Sequence, residues 1–324
     1  MRKYYIFGFF FLLLFFGALL VSLSFGAVNI SFTHWGHLSL AEKQIMFDLR
    51  LPRILTAFLA GGILAVAGFI LQSTLKNPLA DPYILGITTG SGFFMSLTFF
   101  PGLVFAGIFL LPFFSFLGAI ISMLILFAIL KTLNNYSVLY FILVGIIINS
   151  FFGALTVLVL FFNNKVSENI LFVLMGSCER INLPLIIFSY CSSFIILAFI
   201  FFYLLKKMNV MSQSDEVAYS LGINVIKERQ IAIFLVSILI AIAVSISGMI
   251  GFVGLVVPHI CKIVFKHNVR FMFIISFFMG GIFLIFCDTL CRTLFFPLEL
   301  PIGVLTSFIG APFFLWLLIY KKNI

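Results

Sequence analysis

Apolar runs of about twenty residues recur along the chain, and no other feature restricts its fold as strongly. They include Tyr4 to Phe25, Pro52 to Leu75, Val104 to Leu130, Ser137 to Phe162 and Pro184 to Leu205. A helix of about 20 residues crosses the roughly 30 Å hydrocarbon core of a bilayer. Such a helix also bonds all its backbone groups internally, which lipid demands. A membrane β-barrel would instead show alternating segments of about 10 residues, and these runs do not alternate. Only 9% of the residues are charged and 63% are hydrophobic, against roughly 25% charged in soluble domains. The chain therefore reads as an all-α polytopic membrane protein, one transmembrane domain over residues 1–324.

The first run follows Arg2-Lys3. It is longer than a signal-peptide core and lacks a convincing small-x-small cleavage site, so it reads as a spanning signal anchor. Further runs at Tyr83 to Phe100, Ile231 to Ile250, Gly251 to Phe265, Phe271 to Leu290 and Ile302 to Tyr320 bring the expected number of spans to ten. Between Asn163 and Asn182 the apolar centre is too short to cross, which predicts a partial or re-entrant helix. An even number puts both termini on one side. With that side taken as cytoplasmic, Lys43, Arg50, Arg53, Lys165, Arg180 and Arg292 fall outside. The other thirteen of the nineteen basic residues fall inside, as the positive-inside rule requires.

Topology thus accounts for the formal charge of +9, and no basic stripe with interleaved aromatics suggests nucleic acid. The five cysteines, Cys178, Cys191, Cys261, Cys287 and Cys291, form no CxxC pair, which fits buried packing. His34, Trp35 and His37 lie in a polar stretch over residues 29–49. They suit either a ligand contact or an interfacial loop, where Trp is common. The second span is expected to start near Pro52. Its Gly61, Gly62, Ala65, Ala67 and Gly68 make a face on which another helix can approach closely. Asn149 and Ser150 lie inside the fifth span, where polar groups face a bundle or a pathway.

No GxxxxGK[ST] phosphate loop, HExxH or GxSxG is present. The clearest acid within a span is Asp288, with Arg292 four residues on and able to neutralise it. An ion-coupled carrier usually needs unpaired buried acids, and an embedded enzyme would need a nucleophile–base pair or a metal set. Neither is visible.

Several motifs in fixed order resemble one known family. They are Arg50-Leu51-Pro52-Arg53, Asn77-Pro78-Leu79-Ala80-Asp81-Pro82, Leu85-Gly86-Ile87 and Leu221-Gly222-Ile223-Asn224. The order continues with Gly251 to His259, Glu299-Leu300-Pro301-Ile302-Gly303 and Gly310 to Trp316. Together they are similar to the FecCD-type permeases of iron-siderophore, haem and vitamin B12 importers. The resemblance implies the type II ABC importer permease fold, ten helices per subunit, in a bacterial cytoplasmic (inner) membrane. It implies a second permease subunit, identical or paralogous, two separate ATP-binding subunits and an extracytoplasmic solute-binding protein. No cofactor would be bound by this chain, since ATP would sit on the partner. By the same resemblance Arg50, Arg53 and Arg292 would dock the binding protein. Asn77 and Leu79, with Tyr136 and Ser137, would form the cytoplasmic gate. Asp215, Glu216, Val217, Ala218, Leu221 and Gly222, within a cytoplasmic segment 206–230, would couple to the ATPase. The residues of that segment allow it: Asp215 suits a helix N-terminus, and Gly222 a helix end. An iron-siderophore is the expected cargo.

Overall fold

The computed structural model describes residues 2–26, 28–30, 35–99, 110–134, 136–163, 167–179, 183–265 and 268–321. Among them every regular element is helical. The helices are α1 (Arg2–Ser24), α2 (Leu40–Thr74), α3 (Ile87–Leu97), α4 (Leu110–Thr132), α5 (Val138–Phe162) and α6 (Ser167–Leu174). They continue with α7 (Leu183–Met211), α8 (Asp215–Ser220), α9 (Val225–Ser247), α10 (Val253–Phe265), α11 (Val269–Thr293) and α12 (Ile302–Lys321). A 3-10 turn at Pro82–Leu85 precedes α3. Six of these, α2, α4, α5, α7, α9 and α11, are long and apolar enough to cross a membrane. The expected partial helix is the eight-residue α6.

The core is built on α2, whose apolar window is 89% buried, while those of α5 and α7 are only 28% buried. The small-residue face read from the sequence is what permits this. Gly61 and Gly280 of α11 meet back to back, and a Cβ on either would lie 2.3 Å from the other's carbonyl oxygen. About two turns further along α2, Gly68 meets Gly254 of α10. Without a hydrophobic difference between lipid and side chain, such close backbone packing is a main source of helix association.

The second span begins earlier than expected. Ser39 and Glu42 form a capping box, Glu42 N–H donating to Ser39 Oγ and Ser39 N–H to Glu42 Oε2. The helix therefore starts at Leu40 within the stretch read as a loop. It reaches Pro52 through a π-helical turn over Gln44–Arg50, in which Leu51 N–H bonds Met46 O. This widened turn leads into a residue with no N–H to donate.

Pro258 also lies inside a helix. A regular helix would have its N–H donate to Gly254 O, four residues back. Gln72 of α2 supplies the missing donor, its Nε2 lying 3.2 Å from Gly254 O and 3.3 Å from Leu255 O. Gln72→Leu leaves that carbonyl unbonded in a buried site, and stability should fall by about 1–3 kcal/mol. The thermal unfolding midpoint in detergent measures this, and an unchanged midpoint would show that the bond contributes nothing.

Candidate functional site

Two groups of motif residues lie along α2, one at the close of its π-helical turn and one at its C-terminal end. Beside the first group, α1 stops at Ser24, leaving its last carbonyls without helical partners. Arg50 fills that place, donating to the carbonyls of Leu23, Ser24 and Val28. A cation there also suits the negative end of the helix dipole. A Cβ at Gly26 would sit 2.8 Å from Arg50 Nη2, so a larger residue there would displace the guanidinium from these carbonyls. Beside it Asp288 is fully buried between two cations. Arg53 Nε lies 2.9 Å from Oδ1, and Arg292 Nε lies 3.1 Å from Oδ2. Arg53 also bonds Glu299 at 2.9 Å, and Arg292 Nη2 donates to Ser22 Oγ at 2.7 Å. The three arginines expected at a docking surface are thus brought together, but they are buried. Their partners belong to this chain, and they join α1, α2 and α11. The exposed charge in the cluster is Glu299, its side chain one-third accessible. Of the polar stretch noted beside these motifs, Trp35 packs partly buried against the core and His37 is exposed, while His34 lies outside the described residues.

At its C-terminal end, α2 closes in a tight turn. Asn77 N–H reaches back to Gln72 O at 3.2 Å, with Lys76 in the left-handed region at φ 48°. The expected gate residues follow directly. Asn77 Oδ1 accepts the N–H of Leu79 at 2.9 Å, and Leu79 projects outward, 41% exposed. Tyr136 and Ser137 occupy a different turn, before α5. That helix packs on the 3-10 turn at Gly145 and through Asn149, whose amide donates to Tyr83 O and whose oxygen accepts from Thr89.

The expected coupling segment is a short helix, α8, capped by Ser214, whose Oγ accepts the N–H of Val217 at 3.0 Å. Gly222 ends it at φ 76°, with Ile223 N–H returning to Ala218 O. Ala218 is buried against Met211 and Val225, whereas Val217, Tyr219 and Leu221 are 41%, 52% and 65% exposed. Of the apolar residues expected to couple, Val217, Ala218 and Leu221, Ala218 therefore holds the helix down, and Tyr219 joins the other two on the outer face.

Asp215, the first residue of α8, makes two ion pairs that no local pattern announced, with Lys76 at 2.8 Å and Arg229 at 3.3 Å. Arg229 Nε donates in turn to Thr74 O, the last residue of α2. Burial opposes ionisation of Asp215, but Lys76 and Arg229 more than offset it and hold the carboxyl below its ordinary value of 3.8. A lowered carboxyl stabilises the fold above its unfolded value, and that contribution is lost as pH falls through the folded value. The link is therefore fully charged at neutral pH.

A cavity of about 1110 Å³, open to the outside of the chain, lies against α3, α5, α6, α10 and α12. Its walls are mostly apolar, Met175, Met249, Phe252 and Phe308 among them, with Thr89, Thr156 and Ser307 adding hydroxyls. Asp81 is the one charged lining residue among those described. It accepts the N–H of Tyr83 at 3.2 Å, and burial raises its carboxyl to about 6 against the pull of the Tyr83 and Phe252 amides.

The chain matches the FecCD transport family over residues 12–320. It is 34% identical to the iron chelatin transport system permease protein of Helicobacter pylori over 319 residues, covering 94% of this chain and 95% of that one. The hemin transport system permease protein HmuU of Yersinia pestis is 35% identical, with 93% and 92% covered. Among solved structures, a metal-chelate type ABC transporter in an inward-facing conformation superposes with a TM-score of 0.86. It is 31% identical, and the match covers 97% of this chain and 98% of that one.

Proposed function

This chain belongs to the FecCD transport family, and on that premise we propose that it is the permease subunit of an ATP-driven importer whose cargo is an iron chelate, an iron-siderophore first. Haem or vitamin B12 in the same role is the alternative. Ten crossings are proposed, the six long helices together with α1, α3, α10 and α12, with both termini cytoplasmic in a bacterial inner membrane. Two such subunits, this chain twice or with a paralogue, would share the pathway, with two ATP-binding subunits beneath and a solute-binding protein outside.

The observation that carries this reading is α8. A six-residue helix, capped at both ends, stands between α7 and α9 and presents Val217, Tyr219 and Leu221 outward. Exposed apolar anchors on a rigid base suit insertion into a partner's pocket. ATP chemistry is assigned to that partner. Asp288, held between two arginines, is not available for ion coupling. Asn77, Leu79, Tyr136 and Ser137 are assigned to a gate completed across two subunits. Binding-protein docking at Arg50, Arg53 and Arg292 would require an incoming carboxylate to replace Glu299 on Arg53, the accessible step in that cluster. The cavity suits a bulky cargo with apolar surface, since shape and a few polar groups give such sites their selectivity.

Co-purification tests the reading. Val217→Asp with Leu221→Asp should weaken association with the ATP-binding subunit by roughly tenfold or more, while membrane insertion persists. Association at wild-type strength would contradict the role of α8.

A further inference from the structure

Two features of the turn after α2 go beyond a gate and a separate coupling helix. The first is that Lys76 occupies a backbone position that favours glycine. At φ 48° a lysine is strained where Gly would not be, so the side chain has a use that outweighs the turn. The second is what that side chain touches. Its Nζ lies 2.8 Å from Oδ1 of Asp215, while the other oxygen of the same carboxylate is bonded by Arg229. Arg229 is buried and donates to Thr74 O. The first residue of α8 is therefore held at two points two residues apart, at Thr74 at the end of α2 and at Lys76 immediately before Asn77.

We propose that Lys76 and Asp215 are the link through which movement of α8 reaches the gate turn at Asn77–Leu79, with Arg229 as the fixed anchor of that link. This rests on the reading of the chain as an ATP-driven permease. Arg229 is held at both ends within the protein, so a displacement of α8 keeps Asp215 in register with Thr74. Lys76 lies on the exposed side, its side chain 39% accessible, and follows the carboxylate as α8 tilts. Because Asn77 Oδ1 braces the N–H of Leu79, the turn moves as one piece when residue 76 is drawn. Lys76 is thus a positioning residue that transmits motion without contacting cargo or nucleotide.

The test uses the complete transporter in vesicles, with the permease, the ATP-binding subunits and the binding protein, and reads cargo moved per ATP hydrolysed. Lys76→Met keeps the stem and the strained turn but removes the charge. Lys76→Gly relieves the turn and removes the charge, and Lys76→Arg keeps the charge. In the first two the ratio should fall by roughly two- to fivefold, the range of an exposed ion pair, with ATP hydrolysis continuing. Lys76→Arg should restore it. Raising salt should lower the wild-type ratio toward that of Lys76→Met and leave the latter flat, since exposed pairs are screened. A wild-type ratio in Lys76→Gly would overturn the proposal, because the residue would then serve only the turn. So would transport and hydrolysis falling in the same proportion, which would place Lys76 in ATPase docking. A wild-type transporter that moves cargo without ATP would instead overturn the permease reading itself.

Discussion

Asp288→Ala should cost roughly 3–5 kcal/mol, the penalty for leaving a buried charge without its partner. Asp288 is fully buried and neutralises both Arg53 and Arg292. Removing it leaves Arg50, Arg53 and Arg292 facing Glu299 alone, three positive charges against one, in a place where water enters poorly. The loss should appear as a large drop in the thermal unfolding midpoint of the detergent-solubilised protein, or as failure to accumulate in the membrane. Asp288→Asn keeps an oxygen that can accept from Arg53 and should fall between the two. If Asp288→Ala unfolds at the wild-type temperature, the cluster is not the structural centre argued above. This expectation differs from the docking role that the resemblance implies. A docking arginine could be replaced at little cost in stability, whereas Arg53, bonded to Asp288 and Glu299 within the chain, could not.

Gly68→Val should be nearly as damaging. A Cβ at this position would lie 1.7 Å from the carbonyl oxygen of Gly254, so α2 and α10 must move apart. Overpacking commonly costs about 1–3 kcal/mol and sometimes more. Separation here also draws Gln72 away from Gly254 O, the bond that compensates for Pro258. The expected loss is therefore about 3 kcal/mol or more. Gly153→Ala is the control, since a Cβ at Gly153 meets nothing within 4 Å and helix propensity favours Ala by about 0.5–1 kcal/mol. Equal effects of the two changes on the unfolding midpoint would dismiss the crossing as a determinant.

The sequence was most legible where the signal is local. Apolar run length marked the long helices, and Gly61, Gly62 and Gly68 marked the crossing face of α2. Asp215 and Gly222 marked the start and end of α8. The early start of α2 also carries a local signal. Ser39-Leu40-Ala41-Glu42 is a capping box, masked by the polar composition of the segment around it. What sequence could not show are pairings between distant residues. Asp288 reads as the partner of Arg292, four residues on, and pairs with it at 3.1 Å, but its 2.9 Å contact to Arg53, 235 residues earlier, carries no local signal. Lys76 and Asp215 are 139 residues apart, and nothing in either segment names the other. The three arginines expected at a docking surface illustrate the same limit: a motif gives residue type and order, while burial depends on the helices packed around it.

This chain is expected to form a path that a separate ATPase drives. The direct measurement is uptake of a ferric siderophore into vesicles carrying the permease with its binding protein, with and without the ATP-binding subunits. Uptake is expected only when those subunits and ATP are both present, and should persist when proton and sodium gradients are collapsed. Uptake by the permease alone, driven by an ion gradient, would contradict the account.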